Sequence, residues 1–330
     1  MSSTQPPSVA VARRAMATRF EIVLPGDNPV RLRAAGEEAL DEIERLESQL
    51  SLYLPSSEVY HLNQSAAAGP VRVTPAVFKL LRDARRIWEE TAGAFDITVG
   101  PLMRVWGFVG GTGRLPAPAD VEAAKARVGM NLVQLNETDC TVRFAREGVM
   151  IDLGAIGKGY ALERAVELLR EAGITSALLH GGTSTVCTIG APPDAAAWKI
   201  AIEHPANADR QGTPLEPLPP LAAVLLKDEA MSVSAVWGKS FEADGKIYGH
   251  VIDPRTGAPT QGASFAAVVL PSATETDALS TALLTLGLAG HDQIVRLRPG
   301  MRSLVAALGH DRGGLRVESR NIVVNEMHEG

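Results

Sequence analysis

Cysteine is nearly absent: Cys140 and Cys187 are the only two in 330 residues. At that spacing they exclude a disulfide framework and a zinc cluster, and leave at most a single bridge. Aromatic residues are also scarce, at 5 %, so a flat ligand has few stacking partners, with Tyr53, Phe95, Trp106, Trp237 and Tyr248 as candidates and most of them expected in the core. There is no surplus of basic charge. The formal charge is −6 and the pI about 5.7, and the 32 Lys and Arg are dispersed, which argues against nucleic acid as a main partner. Long apolar runs are missing too. Nothing approaches the ~20 residues of a membrane span. Val9-Ala-Val-Ala12 is cut short by Arg13 and Arg14, well under the ~7–15 apolar residues of a signal peptide. The expectation is a cytoplasmic protein without a membrane span.

What is present suffices for a large core, since 45 % of residues are hydrophobic. Helical spacing of Ala35, Ala39, Leu40, Ile43, Leu46 and Leu50 predicts a helix over Val30–Leu50, and Thr74-Pro75 opens another that Gly93 stops. Further helices are expected at Ala119–Val128, Gly159–Ala172, Glu275–Leu288 and Gly290–Leu297. Strands are expected at Met16–Leu24, Leu132–Leu135, Thr141–Phe144, Val149–Leu153, Ala177–His180, Thr185–Ile189, Trp198–Ile202, Ala222–Leu226, Met231–Ser234, Tyr248–Ile252 and Ser264–Leu270, and near Ser303, Leu315 and Ile322. Ser51–Asn63 reads as a polar loop and Ala206–Leu221 as a Pro-rich surface excursion. Helices concentrated in the first half and short strands grouped in the second predict an α+β fold, not a doubly wound sheet.

Two segments carry chemistry. Asp152-Leu-Gly-Ala-Ile-Gly-Lys-Gly-Tyr160 packs three glycines, a lysine and a carboxylate between a strand and a helix, so that backbone N–H groups and a cation can approach a phosphate. It matches neither the Walker nor the dinucleotide fingerprint, and a tight strand-to-helix turn is the competing explanation. Asp277 and Thr281 stand at i and i+4, on one helical face, where two oxygens can share a magnesium ion that keeps water and phosphate as its other ligands. A plain first-turn Asp with a packed Thr is the alternative there. His250 precedes the turn Asp253-Pro-Arg-Thr-Gly257, and His180-Gly181-Gly182 reads first as an ordinary hairpin.

Met16-Ala-Thr18, Ser51-Leu-Tyr53 with Ser57-Glu58 and Asn63, Phe95 to Leu102 with Trp106-Gly-Phe108, Asp152 to Tyr160, Gly181-Gly182, His250 to Gly257 and Asp277 to Thr281 follow one another in this order. The series resembles the ApbE family of FAD:protein FMN transferases over residues 13 to 310. The resemblance implies a T-fold-related α+β architecture of mixed or antiparallel sheets with packed helices and a ligand cleft between lobes. The expected plan is a disordered N-terminal tail at 1–12, a single ApbE-like unit of two intimately packed lobes over 13–325, and a tail at 326–330. The resemblance also implies Mg2+-dependent transfer of FMN from FAD to a threonine of an acceptor flavoprotein through a phosphoester, with AMP released. The implied metal ligands are Asp277, Thr281 and the carbonyl of Ala155. The implied FAD contacts are Met16, Tyr53, Ala94, Phe95, Asp96, Asp152, Lys158 and Ile252. His250 is the expected base and, with Asp277, the expected catalytic pair. Val233-Ser234-Ala235 departs from the family's frequent Thr-Ser-Gly. A magnesium-dependent FAD pyrophosphatase and a non-catalytic flavin-binding protein are the competing functions.

Overall fold

The structure, a computed structural model, describes residues 7–207, 216–308 and 314–325. The first half runs β1 (Ser8–Ala15), β2 (Thr18–Pro25), α1 (Pro29–Leu50), α2 (Glu58–Ser65), β3 (Val71–Arg72), α3 (Pro75–Glu90), α4 (Gly100–Val105), α5 (Pro118–Lys125), β4 (Val133–Asn136), β5 (Thr141–Phe144) and α6 (Gly157–Glu171). The second runs β6 (Ala177–Gly181), β7 (Thr185–Ile189), β8 (Trp198–Ile202), β9 (Ala222–Leu226), β10 (Ala230–Ala235), β11 (Ser240–Ala243), β12 (Lys246–Gly249), β13 (Phe265–Leu270), α7 (Ala273–Leu286), α8 (His291–Val295), β14 (Arg302–Leu308) and β15 (Leu315–Arg320). Among the described residues, no helix is long and apolar enough to cross a membrane.

Helix ends follow local chemistry. Asn28 accepts a hydrogen bond from Arg31 N–H and Pro29 sits in the first turn of α1, the side chain satisfying an orphan donor and the ring presetting φ. Thr74 and Ser272 cap α3 and α7 in the same way.

The central sheet has eight strands in the order β1-β2-β6-β7-β10-β13-β14-β15, and every neighbouring pair is antiparallel. Its interior strand β13 reads Phe-Ala-Ala-Val-Val-Leu with all six side chains buried. Alternation explains the continuous apolar run: Ala266, Val268 and Leu270 join the core shared with α1, α6 and α7, while Phe265, Ala267 and Val269 join a second core beneath the β8–β9 hairpin. A strand covered on both faces needs no polar side. A third, smaller core ties Leu102, Trp106 and Phe108 of the α4 region to Ile252 and to Phe241 and Tyr248 of the β11–β12 hairpin.

Several expectations are corrected. Residues 8–12, expected as tail, belong to β1, in register with β2 from Ser8↔Pro25 to Ala15↔Thr18. Met16 and Ala17, expected to start a strand, form its two-residue turn with φ of 49° and 59°, the left-handed pair that matches strand twist. Ser51–Asn63 is not all loop, because Ser57 caps α2. Among the described residues, Val149–Leu153 pairs only through an isolated bridge, Val99↔Met150, and Ile322–Val324 only through Ala222↔Val324. The strand expected over Tyr248–Ile252 ends at Gly249. The expected tails over 1–6 and 326–330, and residues 208–215 of the Pro-rich excursion, lie outside the described residues.

Candidate active site

Helices α6 and α7 approach so closely that a Cβ on Gly159 would stand 2.2 Å from the carbonyl oxygen of Ala273 and 2.8 Å from Asp277 Cβ. Only glycine fits there. The same approach lets Gly159 N–H donate to Asp277 Oδ2 at 3.0 Å. Asp277 is 4 % exposed. Its other oxygen, Oδ1, lies 4.0 Å from Lys158 Nζ, and Lys158 also donates to the carbonyl of Gly154 at 3.0 Å. One turn along α7, Thr281 Oγ1 donates to Asp277 O at 3.2 Å and lies 3.1 Å from Ser234 Oγ. Ser234 in turn lies 2.9 Å from Ser280 Oγ. The glycine-rich loop and α7, distant in sequence, thus meet at one carboxylate.

Asp152, two residues past the Val99↔Met150 bridge, turns back on its own loop and accepts from Gly154 N–H at 2.8 Å. Burial raises its pKa, opposed by that amide and by the charges of Lys158 and Lys239. Asp96, 7 % exposed, accepts from Thr98 N–H at 2.7 Å and from Thr98 Oγ1 at 2.6 Å. Burial nevertheless pushes its carboxyl up to about 6, because a buried charge loses more hydration than these donors return.

His250 follows β12, and its Nδ1 lies 3.1 Å from the carbonyl of Lys239. A carbonyl only accepts, so Nδ1 carries the proton of that bond and Nε2 of the neutral ring keeps its lone pair. Burial lowers the imidazole pKa and the charges of Lys239 and Lys158 lower it further, against the hydrogen bond to Lys239, which raises it. The neutral, accepting ring is therefore favoured at pH 7.

These groups border one cleft of about 990 Å³. Its polar end brings together Asp152, Ala155, Lys158, His250, Asp277 and Thr281. Ala94, Phe95, Asp96 and Ile252 border it as well. Met16 and Tyr53 do not line it. Met16 sits at the β1–β2 turn, where its N–H donates to Glu47 Oε1 at 2.7 Å. Tyr53 is 61 % exposed, and its phenol pKa is raised first by partial burial and then by the charge of Asp152, itself a residue of the cleft. Of the other candidate ring partners, Trp106 packs against Tyr248 at 5.5 Å and Phe95 is buried. Trp237 borders the cleft, stacked on Phe265 at 5.7 Å.

Sequence reasoning missed two contributors. Ser234 touches Thr281, and its only signal was the small polar residue inside Val233-Ser234-Ala235. Lys239 orients His250 through its backbone carbonyl, for which side-chain identity carries no signal. The donor set fits a hard cation: the Asp277 carboxylate and the Thr281 and Ser234 hydroxyls are all oxygens. Among the described residues there is no cluster of three His, Cys, Asp or Glu side chains suited to a metal. A single carboxylate with hydroxyls leaves positions for water and phosphate, as Mg2+ prefers.

Comparison with known proteins gives a consistent result. The model of the ApbE family matches residues 16–305. A FAD:protein FMN transferase of Salmonella typhimurium is 28 % identical over 302 residues, spanning 89 % of this chain and 83 % of that protein. One from Klebsiella pneumoniae is 32 % identical over 274 residues, spanning 80 % and 74 %. Among solved structures, the ApbE protein of Thermotoga maritima superposes with a TM-score of 0.82 at 28 % identity, covering 94 % of this chain and 96 % of that one. The apo flavinyl transferase ApbE of Pseudomonas stutzeri gives 0.82 at 27 %, covering 97 % of each.

Proposed function

The chain belongs to the ApbE family, and from that premise we propose that it transfers FMN from FAD to a threonine hydroxyl of an acceptor protein. The threonine oxygen attacks the FMN phosphorus, the bond from that phosphorus to the bridging oxygen breaks, and AMP leaves. The new bond is a phosphoester. One observation carries the reading: a buried carboxylate, a hydroxyl and an ammonium, from Asp277, Thr281 and Lys158, share a cleft with a histidine whose Nε2 is a lone-pair acceptor.

Each group has a physical task. Lys158 offsets the negative charge of the pyrophosphate and, hydrogen-bonded to Gly154 O, holds the glycine loop in shape. Asp277, Thr281 and the carbonyl of Ala155 would hold Mg2+. When bound, the ion neutralises pyrophosphate charge and stabilises the departing phosphate. His250 Nε2 takes the proton of the threonine hydroxyl, with Nδ1–H pinned on Lys239 O to set ring orientation and tautomer. Asp152 and Asp96, both raised in pKa by burial, accept hydrogen bonds from hydroxyl or amino groups of the dinucleotide, with Ala94, Phe95 and Ile252 as apolar walls. Met16 and Tyr53, outside the lining of the cleft, would reach FAD only where it extends past that lining.

The test is incubation with FAD and MgCl2, with and without a protein domain that the Salmonella typhimurium relative flavinylates. AMP is followed by chromatography and the acceptor by intact mass. A gain of one FMN, lost in Asp277→Ala, supports the transferase. AMP and free FMN with the acceptor unmodified would instead identify a pyrophosphatase, and tight FAD binding without turnover a flavin-binding protein.

A further inference from the structure

The cleft has a second arm that the chemistry above does not use. Strand β10 outruns its neighbour: its ladder to β7 covers Ala230, Met231 and Ser232, and a last bond runs from Val233 N–H to Ser184 O at 2.6 Å. On its other side β13 accompanies it as far as Ala235. Backbone groups of an antiparallel strand alternate between its two neighbours. Ala235, two residues past Val233, therefore turns its N–H and C=O to the side that β7 has left at the Gly182–Ser184 turn, where Ala235 borders the cleft.

A second edge borders the same space. Among the described residues β8 pairs only with β9, and Ile200 to Pro205 line the cleft one after another. Successive side chains of a strand point to opposite faces, so consecutive lining within Ile200–Ile202 means that β8 presents its edge. The half-buried Leu178, Ile200, Val233 and Trp237 line the same cleft and pack on the second core. The arm joins the polar end through Ser234, whose hydroxyl touches Thr281.

We propose that this arm receives the acceptor polypeptide as an extended strand. Its main chain bonds to the open edges at Ala235 and β8, an apolar side chain seats against Leu178, Ile200 and Trp237, and its threonine reaches the His250 end. The inference rests on the transferase reading and specifies its partner by chemistry. A strand edge offers a repeating row of main-chain donors and acceptors, which matches a polypeptide, with adjacent apolar pockets supplying selectivity. A dinucleotide has no such repeat.

The test uses the full chain, FAD, and the same flavinylatable acceptor domain. Ile200→Asp is expected to raise the acceptor KM at least tenfold while the FAD Kd stays within twofold, and Ile200→Val to behave as wild type. Hydrogen exchange of the unmutated protein decides the matter independently of how the variant folds: acceptor, added to the FAD complex, should slow exchange at 199–203 and 234–236, whereas FAD alone should not. An unchanged acceptor KM in folded Ile200→Asp, or no such protection, overturns the proposal. A weakened FAD Kd with unchanged acceptor KM overturns it by assigning the arm to the dinucleotide. No FMN transfer by the wild type is a different failure, that of the transferase reading itself.

Discussion

Gly159→Ala places one methyl group where α6 and α7 touch, and the structure sets its consequences. The added Cβ would lie 2.2 Å from Ala273 O, against a practical floor of 3.0 Å, so the helices must separate locally by roughly 0.8 Å. The obstructing atom is backbone, so no rotamer change relieves it. Overpacking of this kind costs about 1–3 kcal/mol, and the better helix propensity of alanine returns about 1. The net loss is up to about 2 kcal/mol, a fall in Tm of no more than roughly 3 °C for a chain of this size. Function should suffer more than stability. The bond from Gly159 N–H to Asp277 Oδ2 lengthens, and Asp277 and Thr281 on α7 move relative to Lys158 on α6. A displacement near 1 Å at a reacting centre costs on the order of 100-fold. The assays are FMN transfer at saturating FAD, Mg2+ titration calorimetry and thermal unfolding. Gly157→Ala is the control, because its nearest neighbour would be Leu153 Cβ at an ordinary 3.8 Å, and it should stay within about threefold in rate. Wild-type rate and Mg2+ affinity in Gly159→Ala would refute the claim that this contact positions Asp277.

The remaining predictions concern titration and charge. Asp96 has a folded pKa raised from 3.8 to about 6, so its contribution to stability is complete below pH 3.8 and is lost as pH rises through 6. That gap corresponds to ~3 kcal/mol, and denaturant titrations should show the wild-type advantage over Asp96→Asn shrinking by about that much between pH 4 and 7.5. Arg298 holds Glu275 at 2.7 Å and Glu90 at 2.7 Å, and Arg86 holds Glu275 from the other side. Burial alone would raise the Glu275 pKa, but the hydrogen bonds from Arg298 and Arg86 outweigh it and lower it. Arg298→Met should cost about 2 kcal/mol at pH 7, and the cost should fade as pH drops below the ordinary glutamate range; a pH-independent loss would refute the pairing as its cause. His250→Gln should lower kcat by about 10²–10⁴-fold with little change in FAD Kd. Because burial lowers the His250 pKa, the acid limb of the wild-type rate should lie below pH 6.5 and vanish in the variant, and a persisting limb would assign it to another group.

Much of the fold was readable locally. Alternating and clustered apolar residues gave β7, β8 and β9 with the bounds the structure has, and Thr74-Pro75 gave the start of α3. Other elements were missed for identifiable reasons. α2 buries only Val59 and Leu62, too few positions for a helical period to emerge. β1 alternates exposed and buried residues, but its polar side carries Arg14 and lies near a polar N-terminus, so it resembled a tail. The β11–β12 hairpin had its signal in Asp244-Gly245, a dipeptide suited to a two-residue turn, and the apolar positions around it were too sparse to support it.

The sequence by itself determined the chemical inventory: a glycine-rich loop ending in Lys158, a carboxylate and a hydroxyl one turn apart at Asp277 and Thr281, and few residues able to bind anything but hard, charged or phosphorylated groups. Those are local properties, set by residue type and by the period of one helix. Only the tertiary structure decided that Gly159 meets Asp277 across 118 residues, that Ser234 reaches Thr281, that Met16 and Tyr53 stay outside the lining of the cleft, and that β10 extends past β7. Such contacts depend on how whole faces of helices and strands pack, and the sum of many weak side-chain contacts that sets this leaves no mark at any single position in the chain.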